Sequence, residues 1–241
     1  MFVVPAPVSP PAGPFAPREL AAGHVHVWHA DLDVSAPDES LLAPEERARA
    51  ERMLGKARHR FVRSRELLRR LVGAYAGTAP EAVELRIGAE GKPRLAAGSL
   101  RFSLAHSGAA WVAAFAVERE VGVDVERLDR DVDRERVAAR IFAPREIETI
   151  HRLQGPAKTL AFFRCWTVRE AIVKARGEGM FTLAARFEVD ADPDHPLTIH
   201  PLGSEAERFR VGEVPARSGC CAALATEGDP SRILAFEIAS D

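Results

Sequence analysis

The sequence predicts a mixed α and β fold (α+β) built from two similar halves, with the functional site at the seam between them. Segments with the period of strands and segments with the period of helices follow one another along the 241 residues. One order of elements (a strand, helices, then strands) occurs in residues 18–120 and again in residues 121–241. This order suggests an internal duplication, and binding sites often lie where two such halves meet. We expect both halves to form one functional unit.

Composition and charge narrow the class of protein. Hydrophobic and charged residues make up 46% and 28% of the chain, as in ordinary globular proteins. The net charge of -2 argues against a whole-protein field for nucleic acid or membrane. No apolar run is long enough for a membrane span, and the proline-rich start does not resemble a secretory signal. The cysteines lack zinc-ligand spacing, so we expect reduced thiols and a cytoplasmic location. They are Cys165, Cys220 and Cys221.

The N-terminal region is predicted to contain an arm and a first strand. Residues 1–17 include six prolines and show no periodicity, which indicates an extended, poorly ordered arm. Residues 24–29 alternate histidine with apolar residues, which predicts a strand. These histidines fit the polar positions of a half-buried strand better than they fit metal ligands.

Residues 45–75 have the pattern of two helices divided at Gly55, and their polar face carries ten basic side chains. Most of these side chains fit a solvated face. A phosphorylated ligand would need a few of them, because guanidinium groups match phosphate oxygens bidentately. A nucleic-acid interface is an alternative for this region taken alone, although no aromatic platform accompanies it.

Strands joined by turns are predicted next. Residues 81–87 form one strand, and Gly91-Lys92-Pro93 forms a tight turn with a cation at its tip. Residues 100–108 form a strand that ends in a polar loop, where His106 is either a ligand-binding residue or a capping residue. Residues 111–117 and 121–125 are predicted to form a hairpin.

Two carboxylates lie on one face of the strand at residues 121–126. Because side chains alternate between the faces of a strand, Asp124 and Glu126 share a face with Gly122, and the valines face a core. Two carboxylates at this spacing repel each other unless a cation lies between them. The pattern therefore indicates a cation site, with a half-exposed strand edge as the alternative.

Three helices follow, at residues 133–142, 143–153 and 157–176, and the remaining sequence has the pattern of strands. In the longest helix, Phe163, Trp166, Glu170 and Lys174 fall on one ridge. Glu170 and Lys174 could form an exposed ion pair. The adjacent aromatic side chains instead favour partial burial of Glu170, which requires a partner or a metal.

These residues resemble a known family, the 4'-phosphopantetheinyl transferases of the surfactin-synthetase-associated type. Residues 122–126, Gly-Val-Asp-Val-Glu, look like its G-(I/V)-D-(I/V)-E motif. Residues 166–174, Trp-Thr-Val-Arg-Glu-Ala-Ile-Val-Lys, look like its W-(S/T)-x-K-E-(A/S)-x-x-K motif, followed by a G-x-G at residues 177–179. The turn at residues 91–93 and the loop at residues 102–108 match two further signatures in the expected order. The resemblance covers roughly residues 40–190.

The resemblance implies a monomeric pseudo-dimer in which each half is a bent antiparallel sheet packed with helices. The implied reaction moves the 4'-phosphopantetheine arm of coenzyme A to a serine of an apo acyl or peptidyl carrier protein and releases 3',5'-ADP. A catalytically silent coenzyme-A-binding scaffold of the same fold is the alternative. The resemblance does not identify the carrier or its pathway.

The resemblance also implies roles for individual residues. Mg²⁺ would be held by Asp124, Glu126 and Glu170. Lys174 would neutralise charge on the diphosphate, and Glu170, directly or through a water, would take the serine proton. The expected contacts to coenzyme A are Arg52, Arg60, Lys92 and His106.

Two residues depart from the family pattern. Arg169 replaces the usual lysine, which keeps a cation but changes its geometry. Ala105 replaces the usual serine before His106, so one hydroxyl contact to phosphate is expected to be missing.

Overall fold

The computed structural model describes residues 1–10, 13–16, 19–88, 91–177, 187–201 and 208–239. Within this part of the chain, five helices pack against several sheets, which confirms a mixed α+β architecture. The helices are α1 (Pro44–Glu51), α2 (Gly55–Ala76), α3 (Arg134–Ile141), α4 (Pro144–Arg152) and α5 (Gly155–Arg176). No helix in the described ranges is long and apolar enough to cross a membrane.

The first sheet has four strands in the order β11-β1-β5-β4. Its strands are β1 (His24–Asp31), β4 (Leu100–Ser107), β5 (Ala110–Val117) and β11 (Arg232–Glu237). β5 is antiparallel to both β1 and β4, whereas β11 is parallel to β1. The last strand of the chain therefore lies in the first sheet, beside residues of the predicted N-terminal half.

The second sheet has three antiparallel strands in the order β6-β10-β9. They are β6 (Val121–Arg127), β9 (Phe209–Glu213) and β10 (Cys220–Glu227). Two small ribbons accompany the main sheets: β2 (Leu85–Ile87) with β3 (Pro93–Leu95), and β7 (Phe187–Val189) with β8 (Ile199–Pro201).

Three cores separate the layers of the molecule. α2 packs on one face of the first sheet through a cluster that includes Leu68 and Trp28. The facing sides of the two sheets enclose a second cluster, to which β6 contributes Val121, Val123 and Val125. α5 packs on the outer face of the second sheet. The layers therefore run helix, sheet, sheet, helix, and the valines of β6 face the inter-sheet core as their period predicts.

The prediction that residues 111–117 and 121–125 form a hairpin is wrong. β6 pairs with β10, not with β5, although Glu118-Arg119-Glu120 forms the expected turn. The reason is that β6 packs closely against α5, which lies on the second sheet. Glu118 takes a positive φ of 54° at this turn, where the chain leaves the first sheet.

Two other predictions need correction. The predicted strand 81–87 is shortened to Leu85–Ile87, because Pro80 begins a 3-10 turn. In the predicted N-terminal arm, Val4 is buried and Val8 forms a bridge with Phe236. The histidines of β1 are more buried than expected; the Nδ1 atom of His26 lies 2.7 Å from the Tyr75 hydroxyl.

Candidate active site

The site begins with an unusually close approach between β6 and α5. A Cβ atom at Gly122 would lie 1.9 Å from the carbonyl oxygen of Ala171, so any larger residue would push the helix away. This approach places the outward face of β6 directly against α5. The ammonium of Lys174 thereby donates a hydrogen bond to Oδ1 of Asp124 at 2.7 Å.

Asp124 is a buried carboxylate whose charge is only partly compensated. Asp124 is 4% exposed, and within the described part of the chain its Oδ2 atom has no hydrogen-bond partner. Burial raises the pKa of Asp124 to about 7; the charge of Lys174 opposes this rise, and the carboxylates of Glu170 and Glu126 add to it. An unpaired buried oxygen of this kind is costly and favours a cation.

Glu126 lies one strand position further along the same face, and both of its carboxylate oxygens have partners. The Ser107 hydroxyl donates to Oε2 at 2.8 Å, and the Arg130 guanidinium donates to Oε1. Ser107 also accepts a hydrogen bond from the backbone N–H of Arg127. The end of β4 therefore fixes the orientation of the Glu126 carboxylate.

Glu170 approaches the same place from α5. Burial raises its pKa; the charge of Lys174 opposes the rise and the carboxylate of Glu126 increases it. The residue lies one helical turn after Trp166, as the predicted ridge requires. The alternative of an exposed Glu170–Lys174 surface pair does not fit, because Lys174 turns inward to the buried Asp124.

These side chains share one cavity of about 670 Å³. Its lining is mostly polar and combines three carboxylates predicted as metal ligands with cationic groups. The lining residues are Ala105, His106, Ser107, Gly108, Asp124, Glu126, Arg127, Asp129, Arg130, Asp131, Trp166, Glu170 and Lys174. The structure thus brings together six of the residues singled out from the sequence: Ala105, His106, Asp124, Glu126, Glu170 and Lys174.

His106 lies in the cavity wall near the end of β4. Partial burial lowers its pKa, and the positive charges of Lys174, Arg65 and Arg60 lower it further. A neutral imidazole that becomes charged when an anion arrives is suited to a phosphate. Ala105 lies beside it in the cavity wall.

Three of the four expected coenzyme A contacts lie outside this cavity. Arg52 is exposed at the C-terminal end of α1. Arg60 forms a two-point ion pair with Asp33 and lines a neighbouring cavity of about 410 Å³ that shares Ser107 and Arg127 with the first.

Lys92 is the clearest difference from the expected arrangement. Its side chain is 10% exposed, and its ammonium donates to Glu120 at 3.0 Å and to the backbone oxygen of Val121 at 3.1 Å. A longer contact of 3.5 Å reaches the backbone oxygen of Ala175. Burial lowers the pKa of Lys92, and Glu120 opposes this effect. Lys92 therefore joins the start of β6 to the end of α5.

Arg169 is not part of the cavity, although the sequence suggested that it alters the site. It is 1% exposed and lies between the rings of Phe142 and Phe187, with its Cζ atom 5.0 and 4.9 Å from their centroids. Its guanidinium donates to Glu146 at 2.7 Å and to the backbone oxygen of Ile141 at 3.0 Å. The arginine at position 169, where the family pattern has lysine, is therefore accommodated in the core and not in the cavity.

The cavity contains the kind of oxygen donors that a hard divalent cation prefers. Among the described residues, no three Asp, Glu, His or Cys side chains stand close enough together to hold a metal ion. Lys174 and Arg130 each occupy one carboxylate oxygen. The unpartnered Oδ2 of Asp124 and the neighbouring carboxylates are nevertheless the oxygen ligands that Mg²⁺ prefers.

Sequence reasoning assigned no role to Ser107 and did not consider Arg130. Ser107 could have been found from its place beside His106 at the end of a predicted strand. Arg130 lies outside the motif residues, and only the folded chain brings it to Glu126. The second half of the predicted G-x-G, residues 178–179, lies outside the described residues.

Comparison with known proteins agrees with the cavity chemistry. A family model described as the 4'-phosphopantetheinyl transferase superfamily matches residues 120–224. The chain is 34% identical over 220 residues to the 4'-phosphopantetheinyl transferase HetI of Nostoc sp., covering 87% of this chain and 90% of that protein. It is 25% identical over 183 residues to the 4'-phosphopantetheinyl transferase of Bacillus subtilis, covering 73% and 80%. It is also 30% identical over 161 residues to the human L-aminoadipate-semialdehyde dehydrogenase-phosphopantetheinyl transferase, covering 62% and 52%.

Proposed function

The chain belongs to the 4'-phosphopantetheinyl transferase superfamily, and from this premise we propose the reaction that its cavity performs. The 4'-phosphopantetheine arm of coenzyme A is transferred to a serine hydroxyl of an apo carrier protein, and 3',5'-ADP leaves. The observation that carries the proposal is the Lys174–Asp124 hydrogen bond, which joins the two motif segments in a cavity that Glu126 and Glu170 also line.

The carboxylates are assigned to cation binding in this proposal. Asp124, Glu126 and Glu170 would hold Mg²⁺, which supplies positive charge to the diphosphate of coenzyme A. The side chains themselves lie on two rigid elements, β6 and α5, whose spacing is fixed by the contact at Gly122. Rigid placement of charge is the main catalytic contribution in transfers of phosphoryl type.

Glu170 is the proposed proton acceptor. Its raised pKa brings it nearer to neutral pH than an ordinary glutamate, so it is a stronger base for the serine proton. It lines the open cavity, whereas the oxygens of Glu126 already have two partners. Lys174 remains near the leaving group and offsets the negative charge that develops there.

His106 is the proposed contact to a phosphate of coenzyme A, because it lies in the cavity wall with a lowered pKa. Arg60 is placed at the neighbouring cavity, where its ion pair with Asp33 uses two of its five N–H donors, so it is a candidate for a second anionic group. Lys92 and Arg52 are left out of the proposed contacts because both lie outside the two cavities.

The test is the mass of apo carrier proteins after incubation with the purified chain, coenzyme A and Mg²⁺. A panel should include carriers from fatty-acid, polyketide and peptide synthesis. The expected result is a mass gain of one phosphopantetheinyl group on at least one carrier. Coenzyme A binding without a mass gain on any carrier would instead indicate a catalytically silent scaffold.

Variants separate the assigned roles from folding. Asp124→Asn should abolish the mass gain while its circular dichroism spectrum remains that of the wild type. Arg152→Gln is the matched control, because Arg152 forms an exposed ion pair with Glu148 on α4, outside the cavity. Wild-type rates in Asp124→Asn would refute the assignment of this carboxylate.

A further inference from the structure

Arg130 is a cationic residue of the cavity to which the proposed function gives no role. It follows β6 and lines the cavity four residues after Glu126. Its guanidinium donates to Oε1 of Glu126, and its Cζ atom lies 5.7 Å from the centroid of the Trp166 ring. The group is therefore held both by a carboxylate and by an aromatic face.

The contact of Arg130 decides whether Glu126 is available to another cation. Ser107 already donates to Oε2, so Oε1 is the oxygen at which a cation would bind. Arg130 occupies that oxygen. Asp124 differs, because Lys174 takes Oδ1 and leaves Oδ2 without a partner. A cation that enters beside Asp124 would consequently compete with Arg130 for Glu126.

A displaced Arg130 remains in the cavity. Its contact with Trp166 does not involve Glu126, so the side chain keeps one anchor after the ion pair is broken. The side chain is also 44% exposed, which leaves room for its donors to turn toward the opening. A guanidinium group presents five donors in a fork that matches the oxygens of phosphate groups.

We propose that Arg130 exchanges partners during ligand binding. It covers Glu126 in the free protein, and it turns to a phosphate oxygen of the diphosphate when a divalent cation takes Glu126. This inference rests on the proposed function, because it requires a cation and a diphosphate in the same cavity. The exchange also explains how the negative charge of Asp124, Glu126 and Glu170 is balanced in the free protein. Lys174 and Arg130 supply positive charge in the same cavity until the divalent cation binds.

The test measures two affinities in Arg130→Gln. Binding of Mn²⁺ alone, followed by electron paramagnetic resonance, should become about threefold tighter because the competing guanidinium is gone. Binding of coenzyme A in Mg²⁺, followed by calorimetry, should become about tenfold weaker because a charge-assisted contact is lost. These opposite changes distinguish an exchanging residue from a structural one, whose loss would weaken both.

Two further variants complete the test. Arg130→Lys keeps the charge but loses the fork, so we expect Mn²⁺ affinity near that of the wild type and only part of the loss in coenzyme A affinity. Arg152→Gln removes another arginine from an i,i+4 pair with glutamate, outside the cavity, and should change neither affinity.

The possible failures are distinguishable. If the wild type binds Mn²⁺ and coenzyme A but Arg130→Gln changes neither affinity, or weakens both, the role of Arg130 is refuted and the proposed function stands. If the wild type binds no divalent cation, the metal assignment of the proposed function fails, and the exchange fails with it.

Discussion

Helices α2 and α5 have the same length and the same kind of ends, but only α5 carries the proposed site residues Glu170 and Lys174. Both have 22 residues, begin at a glycine with positive φ and end at a glycine in the left-handed region. The φ angles are 55° and 53° at Gly55 and Gly155, and 65° and 68° at Gly77 and Gly177. Each feature of α2 therefore recurs 100 residues later in α5.

The helices that precede them are also alike. α1 and α4 both begin at an Ala-Pro pair, and a glutamate in the first turn, Glu46 or Glu146, accepts the backbone N–H of that alanine. In each case the same glutamate also accepts from an arginine 23 residues later, Arg69 or Arg169. This correspondence supports the proposal of two similar halves.

The chemistry of the site occurs in only one of the two copies. Glu170 and Lys174 of α5 correspond in position to Arg70 and Ala74 of α2. Arg70 is partly exposed and pairs with the buried Glu66 and the partly exposed Asp38 in the first half. The comparison teaches that the terminal glycines and the arginine–glutamate pair form a structural frame common to both halves. The carboxylate and lysine of α5, which we propose as site residues, have no counterpart in α2.

The largest effect is expected at the position where the copies differ most in charge. Glu170→Gln should lower kcat by about 10³-fold or more, because it removes the proposed base and a proposed metal ligand. Arg70→Gln, the corresponding change in α2, should leave kcat within about twofold. Transfer kinetics with a fixed carrier measure both, and equal losses would contradict the division of roles.

The second effect concerns the arginine–glutamate pairs of the frame. Glu146→Ala should lower the free energy of unfolding by about 3–5 kcal/mol, because it leaves the fully buried Arg169 without its charged partner. Glu46→Ala should cost less, about 1–2 kcal/mol, because Glu46 is partly exposed. Urea denaturation measures both losses in the free energy of unfolding. A larger loss for Glu46→Ala than for Glu146→Ala would show that the two pairs are not equivalent parts of one frame.

The third effect is a pH dependence of the free energy of unfolding, caused by Asp124 on β6. The pKa of Asp124 is raised to about 7, so the folded state holds a proton that the unfolded state releases near pH 4. The stability that this proton contributes is present below pH 4 and is lost as the pH rises toward 7.

Asp124→Asn removes this titration. In metal-free buffer the variant and the wild type should have similar stability at pH 4, and the variant should be about 4 kcal/mol more stable at pH 8. Urea denaturation at the two pH values measures the difference. A constant difference across this range would show that Asp124 does not titrate as described.

The smallest effect is expected at Ala105. Ala105→Ser adds a hydroxyl to the cavity wall beside His106 and should lower the KM for coenzyme A by about two- to fivefold. The kcat should be unchanged, since Ala105 belongs to β4 and is not among the proposed metal ligands or the proposed base. An unchanged KM would show that this position does not reach the phosphates.

Local sequence patterns predict much of this site. The period of a strand places Asp124 and Glu126 on one face, and helical spacing places Glu170 and Lys174 on one ridge. The helix ends at Gly77 and Gly177 follow from the preference of left-handed positions for glycine.

Local sequence patterns do not predict the contacts between residues that are distant along the chain. Nothing in residues 111–125 indicates that β6 pairs with β10, almost one hundred residues away, instead of with its neighbour β5. The partners of Lys92 and Arg169 are likewise set by packing. Lys92 forms a partly buried ion pair with Glu120, and Arg169 forms a fully buried one with Glu146. Spacing along the chain carries no information about such contacts.

The most direct measurement is the release of 3',5'-ADP from coenzyme A in the presence and absence of an apo carrier. Release is expected only when both Mg²⁺ and a carrier with its serine are present, in a one-to-one ratio with modified carrier. Replacement of that serine by alanine should stop the release. Tight binding of coenzyme A with no release on any apo carrier would contradict the proposed transfer.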